Sequence, residues 1–216
     1  MRNAVKWTLL VATLFAATPV TAAGEPEKWD FVDKDDGIYV WKHDVPGHQV
    51  PDFRGQTFIE ASVDEVLTEM LDWRKHTEWM YACAEAALLT QQDPTHMTMY
   101  NRIDAPWPVW DRDVIANISI EKEQDGKYVK VSFQNISSTL RAVPKRVVRL
   151  PKLVGFYKLW QVEPNKTKIM YQVAAEMGGN IPRWLAVAGA RDLPHYTLDA
   201  LRSRVESTKA KKTAKK

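Results

Sequence analysis

"GGNIPRWLAVAGARDLPHYTLDALRSRV" (residues 178–205) is a long stretch written at helical spacing that follows a succession of short β-branched runs. Asn180 is placed to cap this helix, and Pro182 falls in its first turn, where a missing N–H costs nothing. Leu185, Ala188, Leu193, Tyr196, Leu201 and Val205 then recur at helical intervals. Pro194 removes the bond to the carbonyl of Ala190 and predicts a bend. One long helix that closes a chain of strands needs a sheet to lie on.

Upstream, turn signals come at short intervals: "KDDG" (34–37), "VPGH" (45–48), "EQDG" (123–126), "EPNK" (163–166) and "GGN" (178–180). The intervening runs predict strands over Ile38 to Val45, Phe53 to Glu60, Ala84 to Leu89, His96 to Ile103 and Asp113 to Glu121. Further strands are predicted over Tyr128 to Phe133, Val147 to Leu150, Phe156 to Val162 and Lys168 to Glu176. The spacing implies hairpins and an antiparallel sheet. Between the second and third strands the period changes. Ser62 and Glu65 form a capping pair, Val63, Val66, Leu67, Met70 and Leu71 repeat at helical spacing, and a second short helix covers Trp73 to Trp79. The fold class is therefore α+β: a curved sheet with one face under a long C-terminal helix. An inner face of many apolar and few polar side chains makes the space between them an apolar cavity.

The two ends read differently from the middle. Residues 1–23 combine Arg2 and Lys6, an apolar run from Trp7 to Ala17 and small residues near Ala23, the pattern of a cleaved secretory signal. A periplasmic or secreted location follows as an expectation. Residues 208–216 are lysine-rich and of low complexity, and predict a basic, disordered tail beyond a domain of residues 24–207. Of the 30 basic residues, two lie in the leader and five in the tail, whereas all 27 acidic residues lie between. The chain from Glu25 to Ser207 therefore has a net charge of −4, which argues against a nucleic-acid surface. Cys83 is the only cysteine, so no disulfide forms within the chain, and it reads as a small core residue.

In "APWPVWDRDV" (105–114), two prolines stiffen a loop that carries Trp107 and Trp110, and one or both indoles are expected at the rim of the cavity. Asp111, Arg112 and Asp113 are expected to hold the loop through arginine–carboxylate bonds rather than to move protons. No catalytic constellation is visible. The five histidines show no metal spacing, and neither a nucleophile elbow nor a phosphate loop occurs. No cofactor and no metal are expected. Among cavity acids or bases that an enzyme would need, His96, Tyr100 and Glu176 are the available candidates. The expected ligand contacts are Met99, Ile118, Val131, Phe133 and Tyr171 on the sheet, Trp107 and Trp110 on the loop, and Trp184, Leu185, Ala188 and Tyr196 on the helix.

The segments "DGIYVW", "FRGQTFIEASVDEVLTEMLD", "EWMYACAEAALL", "APWPVWDRDV", "VRLPKLVGFYKLW" and "YQVAAEMGGNIPRWLA" fall in the order found in the START domain, the lipid-transfer domain related to steroidogenic acute regulatory protein. The chain resembles this family over about Trp29 to Arg204, and is most similar to its bacterial secreted members. Asp111-Arg112-Asp113 after the Pro/Trp loop, and Gly178-Gly179 with Ile181-Pro182, are the most specific pieces. The resemblance implies a helix-grip fold with a tunnel for one lipid or sterol-like molecule. Sterol-binding relatives bury a carboxylate and an arginine where this chain has Met99 and Ile118, so the polar anchor for a sterol is absent here. Burial of an acyl chain contributes about 0.8 kcal/mol per methylene, so a long chain is held without any polar contact. The expectation is a monomeric carrier with transient membrane contact. The alternatives are a polyketide cyclase or hydrolase-like enzyme using the same cavity, and a ligand-sensing module.

Overall fold

The computed structural model describes residues 27–123 and 125–214. The signal reading of residues 1–23 lies outside the described residues. Ten strands form one sheet among them: β1 (Asp30–Asp35), β2 (Ile38–His43), β3 (Asp52–Ile59), β4 (Cys83–Asp93), β5 (His96–Ile103), β6 (Asp111–Lys122), β7 (Tyr128–Asn135), β8 (Val147–Arg149), β9 (Lys152–Glu163) and β10 (Lys166–Glu176). Their order across the sheet is β1-β2-β3-β10-β9-β7-β6-β5-β4, all antiparallel. The exception is β8, which runs parallel to β6, pairing Asp111 with Val147 and Asp113 with Arg149. The wholly antiparallel sheet expected from hairpin spacing is corrected at this one place. The long 136–146 segment returns the chain to the start of β6, where a hairpin would not.

Helix α1 (Val63–Leu71) begins as the sequence predicts: Ser62 Oγ accepts from the Glu65 N–H at 3.3 Å, and Glu65 Oε2 accepts from the Ser62 N–H at 2.9 Å. A 3₁₀ turn (Trp73–Lys75) and the short α2 (His76–Trp79) follow, and α3 (Arg183–Thr213) closes the fold. The start of α3 departs from expectation. Pro182, with φ −57° and ψ 134°, occupies the capping position and offers no side-chain acceptor, so Asn180 lies outside the helix. The helix continues across Pro194, which is buried against Gly55 of β3. A Cβ on Gly55 would stand 2.8 Å from Pro194 Cβ and 2.9 Å from Leu198 Cδ1, so the missing side chain sets how closely helix and sheet approach.

The far end of α3 corrects the disordered tail expected from residue 208. The helix runs on to Thr213, and on it Lys209 Nζ donates to the Glu60 carbonyl at 2.8 Å, just beyond β3. This contact satisfies a lysine that composition alone reads as solvated. Earlier on the helix, Arg204 bonds Glu69 of α1 at 2.8 Å and also reaches Glu78 of α2.

Helix α3 leans on β2, β3 and β10, while the 73–79 segment leans on β4 at the other side of the sheet. Val129 and Val131 of β7, Leu159 of β9 and Ile169 of β10 point inward between these supports, alternating with residues that face out. The result is a curved sheet whose covering helices meet its two flanks and leave a gap over its middle.

Candidate functional site

The gap is an apolar cavity of about 120 Å³. Its floor is β5 to β10: Met97, Met99, Asn101 and Ile103 on β5, Val114, Ala116 and Ile118 on β6, Val131 and Phe133 on β7, and Leu153, Tyr157 and Tyr171 on β9 and β10. Its roof is the helical excursion, from Met70 and Leu71 through Trp73, His76, Trp79, Met80 and Tyr81. Leu193 is the contribution of α3. Gly155 makes room on the floor: a Cβ there would meet the Phe133 ring at 2.4 Å and the Gln172 carbonyl at 2.1 Å, so the Phe133 ring lies across the space above it. A larger hollow of about 690 Å³ lies largely over the outward side of the sheet, with Asn117, Ser119, Ser132, Gln134 and Gln172 among its walls. Its lining is the more polar of the two and it opens more widely to water, whereas the inner space is mostly apolar and more sheltered, which is the character of a site for a water-insoluble ligand.

Five of the expected contacts line this cavity: Met99, Ile118, Val131, Phe133 and Tyr171. The other six do not, and each has a physical reason. The face of α3 that meets the sheet carries Ala186, Ala190, Pro194, Thr197, Leu198, Leu201 and Val205. Each step along a helix turns the side chain by about 100°, so Trp184, Leu185, Ala188 and Tyr196 belong to neighbouring stripes. Trp184 is 72% and Tyr196 49% exposed, and Leu185 and Ala188 are half-buried. Tyr196 stacks on Tyr81 with ring centroids 5.1 Å apart, so it backs the cavity wall rather than forming it. Trp107 and Trp110 line a separate surface hollow with Arg102, Val109, Lys145, Arg146 and Val147. Trp107 is 92% exposed, because Pro106 and Pro108 keep the loop from folding back on the core.

The charges after the loop hold it, as expected. Asp111 accepts from Arg102 at 2.8 Å and from the Ala105 N–H at 3.2 Å. Arg112, 4% exposed, donates to the carbonyls of Trp110, Met177 and Gly178, and so ties the loop to the segment that leads into α3. Asp113 receives a two-pronged bond from Arg149. Cys83 is buried with its thiol pKa pushed up by burial, and Asn101 Nδ2 contacts its sulfur at 3.5 Å.

None of the acid–base candidates reaches the cavity wall. His96 is exposed on the β4–β5 hairpin beside Asp93, Tyr100 faces outward beneath Arg141, and Glu176 is exposed at the end of β10. The titratable groups in the wall are of another kind. Tyr157 and Tyr171 stack at 4.3 Å, and burial drives both phenol pKa values up, so they stay neutral hydroxyls. His76 was not singled out from the sequence, and its pKa is lowered by burial. Its signal was the pattern Met70, Trp73, His76, Trp79, Met80, which keeps one side of the excursion apolar. Among the described residues no group of three His, Cys, Asp or Glu side chains is placed to hold a metal ion.

The START domain family model matches residues 21–188, the greater part of the chain. The chain belongs to the START domain family. An uncharacterised protein of Pseudomonas aeruginosa is 36% identical to it over 206 residues, 95% of this chain and 99% of that protein. A STAR-related lipid transfer protein of Xanthomonas axonopodis, solved crystallographically, is 30% identical and superposes with a TM-score of 0.74, covering 82% of this START chain and 98% of that one. Human STARD10 shares the fold at 16% identity, with a TM-score of 0.74 over 86% of this chain and 76% of its own. The curved sheet closed by a long C-terminal helix is the START helix-grip fold.

Proposed function

We propose that the protein binds one lipid or similarly apolar molecule in the cavity between sheet and helices and carries it through an aqueous compartment. The observation that carries this reading is the cavity itself: a sheltered space walled mostly by methionine, aromatic and aliphatic side chains in a chain of START architecture. The relationship to a protein described as a STAR-related lipid transfer protein supports it. The space of about 120 Å³ is of the order of engineered cavities of about 150 Å³ that admit benzene. It is smaller than the tunnel expected for a full lipid, because Met97, Met99, Phe133, Tyr157 and Tyr171 project into it. A long chain therefore enters by displacing the roof or the first half of α3, with the loop around Trp107 and Trp110 as the face that meets a membrane. Desolvation drives binding, with each buried methylene contributing about 0.8 kcal/mol. The leader-like residues 1–23 support a periplasmic or secreted site of action.

Native mass spectrometry of the purified protein, followed by organic extraction, tests this. One apolar molecule per chain is expected, released on extraction. A protein that arrives empty, and takes up no lipid from phosphatidylcholine vesicles, overturns the reading.

A further inference from the structure

Two nitrogens of cavity-wall side chains have no hydrogen-bond partner: Nδ1 of His76 and Nε1 of Trp79. Both residues belong to α2, one turn apart, with ring centroids 5.2 Å from each other and planes at 75°. His76 is 8% and Trp79 3% exposed, so bulk water satisfies neither. Buried polar atoms are nearly always paired, and two orphans side by side in the wall of a binding cavity call for a shared partner.

Their chemistry is complementary. His76 Nε2 lies 2.8 Å from the Met70 carbonyl. A carbonyl only accepts, so Nε2 carries the proton, and in the neutral ring Nδ1 is left as an acceptor. Burial keeps the ring neutral, against the smaller opposing effects of the Met70 carbonyl and Asp72. The Trp79 indole can only donate. One acceptor and one donor sit on adjacent rings of a mostly apolar wall, whose other polar groups are the Asn101 amide and the phenols of Tyr81, Tyr157 and Tyr171. A hydroxyl matches both at once. An ionised carboxylate or a carbonyl accepts only and leaves Nδ1 unmet, an ammonium donates only and leaves the indole unmet, and an alkane satisfies neither.

We infer that His76 and Trp79 form a subsite for a single ligand hydroxyl, donating through Trp79 Nε1 and accepting at His76 Nδ1, which makes the preferred ligand a lipid alcohol. This rests on the cavity reading above and narrows its ligand class. It also supplies a polar anchor on α2, a different place from the strand positions Met99 and Ile118.

The test compares octanol, octane and octanoate near neutral pH, by competition against a fluorescent apolar probe, in the protein and in its His76→Phe and Trp79→Phe variants. Octanol is expected to bind at least as tightly as octane and more tightly than octanoate. In each variant the octanol-to-octane affinity ratio should fall about tenfold or more, since the hydroxyl then loses a partner on burial. Ratios unchanged in both variants, or octanoate binding best, overturn the subsite while leaving the carrier reading intact. Binding of none of the three probes overturns both. Should a variant fail to fold, the Trp79 indole N–H resonance of the unaltered protein decides: it moves with octanol and stays with octane if the subsite exists, and responds alike to both if it does not.

Discussion

Arg149 presents Nε at 2.6 Å and Nη2 at 2.9 Å to the two oxygens of Asp113, whose side chain is wholly buried. The pair fastens the 136–150 segment over the outward side of β6, and the Arg141 guanidinium lies 3.8 Å from the Tyr100 ring beside it. Arg149→Ala leaves a buried carboxylate without its cation, and should cost about 3 kcal/mol of stability by urea denaturation. His76 makes a second prediction at this scale. Its folded pKa lies below the ordinary 6.5, chiefly through burial, so the unfolded chain binds the proton more readily. The stability it contributes is complete above pH 6.5, declines as the pH falls below that value, and levels off beneath the folded pKa. The urea midpoint should drop on acidification through this window, and by less in the His76→Phe variant.

Among the elements, the strands with a buried face were legible because their side chains alternate: β5 was bounded as observed, and β6, β7 and β10 to within two residues. Strand β1 was missed because it is an edge strand, DFVDKD, with most side chains exposed and no period to read. The helical excursion was legible through its capping pair. Its role as the cavity roof was not, since an apolar stripe says that a side chain is inside without saying what lies opposite. The same limit explains α3, where the helix was plain and the face turned to the sheet was misplaced by one or two positions. Gly55 fixes that face, and Gly55→Ala should destabilise by about 1–3 kcal/mol in urea, as the helix is pushed outward. The loop of Trp107 and Trp110 belongs to the same scale. Its indoles are exposed, and under the proposed carrier function they meet the lipid interface, so replacing both with alanine should slow transfer between phosphatidylcholine vesicles about tenfold while the melting temperature holds. An unchanged rate would remove the loop from the mechanism.

For the molecule as a whole, the decisive quantity is where the helices rest. Because α3 bears on one flank of the sheet and the 73–79 segment on the other, the floor between them is spanned without being filled. The apolar character of that space was legible from an inner face with few polar residues. Its volume was not, because volume depends on which rotamers Met97, Met99 and Phe133 adopt once the backbone is set. The fastening of α3 is lopsided. From Asp199 onward the helix is tied by Arg202 to Asp36, by Arg204 to Glu69 and Glu78, and by Lys209 to Glu60, whereas before Pro194 its side-chain ties are Arg183 to the Gln49 carbonyl and an exposed pairing of Arg191 with Asp33. Pro194 also omits one rung of the backbone ladder between the halves. A rod clamped at one end and scored near its middle gives way at the free end. Amide hydrogen exchange should therefore be graded along this single helix, fast across residues 184–193 and slow across 198–205. A filled cavity should quiet the fast half while leaving the slow half as it was.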